Sequence, residues 1–118
     1  MGTVRPNAGA LIVPRLRSVV PRHDSRLGRR PALVIASDVF LEQADTLAIV
    51  VPATTSARGW PNHVLLRGPR LGLTKPTYAM TEQPRTVTRE RLGSATGAVD
   101  PETMQEVDRW LRDFLALP

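Results

Sequence analysis

The sequence predicts one small β-rich domain, a barrel or sandwich closed by a single C-terminal helix. Three observations carry this expectation. Short runs of Val, Ile, Ala and Thr are broken at intervals by turn residues, with 11 Pro and 8 Gly in the chain. Towards the C-terminus the apolar residues change to helical spacing. A chain of 118 residues is long enough for one modest core and too short for two, so residues 1–118 read as a single domain.

Residues 1–10, with Pro6, Asn7 and Gly9, read as a flexible lead-in. Leu11–Val13 can start a strand, but Pro14 and Pro21 make residues 14–30 read as loop or edge. Ala32–Ala36 is a continuous apolar run between Pro31 and Ser37, the pattern of a central strand. Ser37 and Asp38 open a single helical turn through Gln43, with Val39 and Phe40 expected to touch the core. Thr46–Val51 is the second strong strand. The turn-rich Ala57-Arg58-Gly59-Trp60-Pro61 follows, and His63–Leu66, Thr77–Thr81 and Arg85–Thr88 read as short strands. Asp100 is a good N-cap, Pro101 suits the first helical position, and Glu102 complements the positive helix end. Met104, Val107, Leu111, Phe114 and Leu115 then form one apolar stripe, which predicts a helix over 100–117 laid on the barrel.

Composition narrows the function classes. Without cysteine there is no disulfide framework, thiolate nucleophile or zinc knuckle. No run approaches the roughly 18–20 apolar residues of a membrane span. The N-terminus also lacks a secretory pattern, so no membrane and a cytoplasmic protein are expected. The net charge is +5, and of the 16 basic residues only Lys75 is not arginine. Arginine binds phosphate bidentately, which invites nucleic acid or an acidic protein partner. A high-GC genome enriches arginine equally well, so both readings stay open.

The residues that could serve an RNA phosphodiester are few. Attack by a 2′-hydroxyl needs a base, a cation for the phosphorane and a donor for the leaving oxygen. Arg30 can supply the cation, and Thr54, Thr55 and Ser56 can donate to non-bridging oxygens. His23 offers an imidazole, the side-chain type most used for proton transfer, and Glu82 offers a carboxylate. No His, Cys or carboxylate cluster has metal-ligand spacing, so no cofactor or metal is expected. Each group also has a bland reading: Arg30 as a solvated strand-mouth residue, Thr54–Ser56 as turn chemistry, His23 as a surface histidine. His63 beside Val64-Leu65-Leu66 reads as structural. Trp60 reads as either a packed turn or a stacking platform for a base.

With these residues in hand, the chain resembles the MazF/PemK/Kid family of toxin ribonucleases. The resemblance is carried in order by Gly28-Arg29-Arg30-Pro31-Ala32-Leu33-Val34, Val51-Pro52-Ala53-Thr54-Thr55, Gly59-Trp60-Pro61 leading to Val64, Glu82-Gln83-Pro84-Arg85-Thr86-Val87 and the closing helix. It runs from about residue 22 to 117. It implies an SH3-like barrel of the plasmid-maintenance-toxin, CcdB-like type with a C-terminal helix, working as a homodimer. The implied activity is metal-independent, sequence-selective cleavage of single-stranded RNA that leaves a 2′,3′-cyclic phosphate. The implied partners are an antitoxin with an acidic, disordered tail and, for the toxin–antitoxin complex, its own promoter DNA. By resemblance Arg30 and Thr54 take the main catalytic positions, with His23 and Glu82 in support; Arg29, Thr55, Ser56, Gln83 and Arg85 are expected to bind RNA. Kid-like members place an arginine two residues before their aspartate, where this chain has Met80. A relative that binds RNA or antitoxin without cutting is the alternative, and DNA gyrase is a further conceivable target.

One stretch departs from the family pattern. The family opens with Gly-Asp-Leu-Ile-Tyr-Leu-Asp-Phe-Asp-Pro, whereas Gly9–Ser18 here carries Pro14, Arg15 and Arg17. Codons for Val13–Ser18 can be chosen that, read one base later, give Tyr-Leu-Asp-Phe-Asp-Pro. A shifted frame over residues 13–22 is therefore one expectation, and a degraded first strand the other.

Overall fold

A computed structural model describes residues 14–24 and 28–118; the expected lead-in 1–10 and Leu11–Val13 lie outside them. The strands are β1 (Ser18–Asp24), β2 (Gly28–Val34), β3 (Leu47–Thr54), β4 (His63–Leu65), β5 (Tyr78–Met80), β6 (Arg85–Thr88) and β7 (Gly97–Ala98). Two helices, α1 (Asp38–Gln43) and α2 (Pro101–Phe114), and a 3-10 turn at Arg89–Arg91 complete the described elements. The order across the sheet is β4-β5-β3-β2-β1-β7, all pairs antiparallel. β3 holds β2 on one edge and divides the other, with β6 along Leu47–Val50 and β5 along Ala53–Thr54. An edge shared between two partners bends the sheet into a half-barrel.

The continuous apolar runs of β2 and β3 have a simple cause: both faces of the sheet are buried. Val19, Leu33, Val51 and Ala53 join Val64, Ala79, Met104 and Val107 in one core cluster. Their strand neighbours Val20, Ala32, Val34, Ala48 and Val50 join Leu41 and Leu92 in another. Because successive strand residues face opposite ways, burying both faces removes the polar alternation of a half-exposed strand. α2 covers the first face and α1 the second. Ser37 caps α1 by accepting from Phe40 N–H at 3.1 Å, and Asp100 caps α2 by accepting from Thr103 N–H at 2.8 Å. The Arg89 guanidinium donates to the carbonyls of Leu47 at 2.9 Å and of Leu41 and Ala44, tying the end of α1 to β3.

Several expectations need correction. Within residues 14–30, Ser18–Asp24 and residues 28–30 are strand rather than loop or edge, because β1 lies between β2 and β7; residues 14–17 are outside any strand, and 25–27 lie outside the described residues. Pro21 faces Pro31 across the β1–β2 ladder. The carbonyls of Val19 and Pro21 turn away from β2 to accept from Thr96 and Gly93 N–H. Position 21 therefore points its missing N–H away from β2, and the ladder loses nothing. Of the departing stretch Gly9–Ser18, residues 9–13 lie outside the described residues and residues 14–17 form no strand; Ser18 opens β1, whose Val19 and Val20 are fully buried. In α1 Leu41 is buried and Phe40 packs against the core as expected, whereas Val39 is 61% exposed. α2 ends at Phe114, so the predicted stripe leaves the barrel after Val107 and Leu111; Phe114 and Leu115 stand out in solvent. At Gly97, which nothing in the sequence singled out, a Cβ would run into the backbone of Arg70 and Leu71.

Candidate functional site

The candidate residues fall into two groups. The first is set by register. β1 and β2 pair Arg22 with Arg30 and His23 with Arg29. The β2–β3 ladder closes at Ala32–Pro52, and the same register continued two residues sets Arg30 opposite Thr54. Alternation then sorts the faces. Arg22, Arg30 and Thr54 share the parity of Val20, Ala32 and Val50, so they form a row across three adjacent strands on one face. His23 and Arg29 have the parity of Val19 and Leu33 and lie on the other face. Arg29, Arg30 and His23 are exposed, and Arg29 and Arg30 also line a shallow pocket with Pro21, Leu73 and Thr96.

Thr54 is only 8% exposed, whereas Thr55 and Ser56 are open to solvent. Its Oγ1 accepts from Ser56 N–H at 3.1 Å, an ST-turn that leaves the hydroxyl proton free to donate elsewhere. The turn reading and the donor reading of Thr54 thus coexist in one geometry.

The second group surrounds Glu82, just past β5. Its Oε1 accepts from Asn62 Nδ2 at 2.8 Å and lies 3.1 Å from His63 Nε2. Gln83 Nε2 donates to Oε2 at 3.2 Å, and Arg85 donates to Gln83 Oε1 at 3.0 Å. Thr81 donates to the Asn62 carbonyl at 2.7 Å, fixing the turn that presents Asn62. Burial pushes the Glu82 carboxyl up, but hydrogen bonds from its own backbone, His63 and Gln83 outweigh it and hold the group below its usual 4.5. Trp60, 47% exposed, packs on the His63 ring with centroids 4.8 Å apart, and the Arg58 guanidinium stands 5.9 Å from the indole centre. Packed turn and exposed aromatic face are both present at Trp60.

The predicted residues are therefore brought together in two sets. Arg30 and Thr54 share a row; Glu82, Gln83 and Arg85 share a hydrogen-bond chain. Thr54 pairs with Tyr78 at the start of β5, whereas Glu82 lies in the turn beyond the strand's other end. Sequence reasoning missed Asn62 and His63 as partners of Glu82, since no local pattern links residues about twenty apart. It also missed Arg22, whose place follows only once β1 is accepted as a strand.

No described helix is long and apolar enough to cross a membrane. Comparison with known proteins agrees with the arrangement of strands and motifs. The chain is 32% identical over 91 residues to endoribonuclease EndoA of Bacillus subtilis (strain 168), covering 76% of this chain and 78% of that protein. A mycobacterial endoribonuclease solved in complex with its cognate antitoxin superposes with a TM-score of 0.71 at 30% identity, covering 89% of this chain and 98% of that one. A MazE–MazF structure from Deinococcus radiodurans shares the fold, with a TM-score of 0.76 at 24% identity over 90% and 99% of the two chains. The family model described as PemK-like, MazF-like toxin of type II toxin–antitoxin system matches residues 15–115, and the chain belongs to that family.

Proposed function

We propose that this protein is a toxin endoribonuclease that cuts single-stranded RNA without a metal. The 2′-oxygen attacks phosphorus, the bond to the 5′-oxygen breaks, and a 2′,3′-cyclic phosphate and a 5′-hydroxyl remain. The observation that supports this reading is the β2–β3 ladder, which ends at Ala32–Pro52 and leaves Arg30 and Thr54 each two residues beyond it on adjacent strands. A guanidinium near a hydroxyl with a free proton can hold both non-bridging oxygens as charge builds on them. His23 and Glu82 are the two groups near the site that can hold a proton; neither shares the row, and both act in support. Arg29, Thr55, Ser56, Gln83 and Arg85 supply further cations and donors for the flanking nucleotides.

The partners follow the same reading. An antitoxin with an acidic disordered tail suits the arginine-rich surface, and the pair binds its promoter DNA. Phe114, Leu115 and Leu117, between 46% and 55% exposed, give a homodimer an apolar surface to cover. Incubating the purified protein with a defined transcript, with and without EDTA, tests the activity. Cuts that survive EDTA and vanish in Arg30→Ala support it; an intact transcript overturns it. A second reading, binding without cleavage, draws on the separation of His23 and Glu82 from the row. Intact RNA with retained binding selects that reading.

A further inference from the structure

We infer that Arg22 is a second phosphate-binding residue, forming with Arg30 a two-guanidinium clamp for an RNA phosphate. The inference rests on the endoribonuclease reading for the identity of the phosphate and adds a residue that reading did not use. Arg22 and Arg30 face each other on one rung of β1–β2, on the face that carries Thr54. Like charges directly opposed across an antiparallel pair are destabilising. Among the described residues neither guanidinium has a carboxylate partner. The cost goes further at Arg22: its Nε is buried and has no hydrogen-bond partner. A buried unpaired donor beside an unneutralised like charge is unfavourable in the free protein and needs a reason.

A tetrahedral dianion or phosphodiester seated between the two side chains removes the like-charge cost. It screens the guanidiniums from each other and accepts from their N–H donors. Thr54, two residues past the end of the β2–β3 ladder, offers a hydroxyl donor on the β3 side. The row therefore gives one phosphate two cations and one neutral donor, drawn from three strands of one sheet. Rigid strands hold such a set more firmly than loops do.

The clamp makes opposite-signed predictions for the free and the bound protein, which a merely structural arginine does not. Melting of wild type, Arg22→Gln and Arg22→Lys is followed with increasing inorganic phosphate. Binding to a single-stranded RNA made uncleavable by 2′-deoxy substitution is followed against salt. Arg22→Gln is expected to melt no lower than wild type without phosphate and to lose most of the phosphate-induced rise. Its log–log salt slope should fall by about 0.7, one phosphate contact on a single strand. Arg22→Lys should keep the slope while binding phosphate more weakly, since it keeps the charge and loses the fork. An unchanged slope and an unchanged phosphate response in Arg22→Gln overturn the inference, as does a lowered melting point in both variants without phosphate. Cleavage of the all-ribose RNA by wild type is scored in parallel. Its absence with a changed slope overturns the endoribonuclease reading alone, and its presence with an unchanged slope overturns the clamp alone.

Discussion

The row Arg22–Arg30–Thr54 and the cluster around Glu82 use similar residue types in opposite ways. In the cluster the carboxylate is matched by donors: Glu82 is held by Asn62, His63 and Gln83, and Gln83 in turn by Arg85, with His63 Nδ1 the one buried atom left without a partner among its described side chains. In the row two cations stand together and a buried Nε goes unmatched. Satisfied groups contribute to folding; unsatisfied ones lower stability and gain when a ligand arrives. On the proposed function, the opposed cations mark where an anion sits, and the network around Glu82 shapes the wall beside it.

The largest expected effect tests the row. Arg30→Ala should slow single-turnover cleavage by about 10²–10³-fold, the usual loss on removing one donor to a developing oxyanion. Its melting temperature should not fall, because the substitution also removes a like-charge rung. A large fall in melting temperature would break the comparison. Next, Glu82→Ala should cost about 1–3 kcal/mol in urea unfolding, since Asn62 and the buried His63 lose their shared acceptor. Glu82→Ala that leaves stability untouched but abolishes cleavage would move Glu82 from wall to chemistry.

The pH dependence sharpens the same contrast. The folded Glu82 carboxyl sits below its ordinary 4.5, so its contribution is present above that value and is lost as pH falls through the lower folded pKa. Acid unfolding curves should therefore bend below about 4.5, and less so in Glu82→Gln. The smallest effect is expected at Asp108 on α2. There burial raises the carboxyl pKa and Arg112 only partly offsets it, so the charged form opposes folding at neutral pH. Asp108→Asn should raise the melting temperature slightly at pH 7, the reverse of Glu82→Gln.

Much of the fold was legible in the residues because its signals are local. Ser37 and Asp100 announce helix starts through their own side chains. The unbroken Ala32–Ala36 run announces burial on two faces. β1 was hidden because proline is read as a breaker, and only its rung decides whether the missing N–H matters. The candidate site was half legible. Motif order picked out Arg30, Thr54 and Glu82, while the spacing between them in three dimensions had no local trace.

The sequence by itself determined which chemistry was available: guanidiniums, hydroxyls, one carboxylate beside a glutamine, and an aliphatic core to hold them. Tertiary structure alone decided which of them meet. Strand register put Arg22 beside Arg30 and sent His23 to the other face, because one residue along a strand reverses a side chain's direction. The return of the chain from β3 through β4 to β5 brought Asn62 and His63 onto Glu82. Pairing across strands depends on register and chain return, neither of which is written in any short stretch of residues.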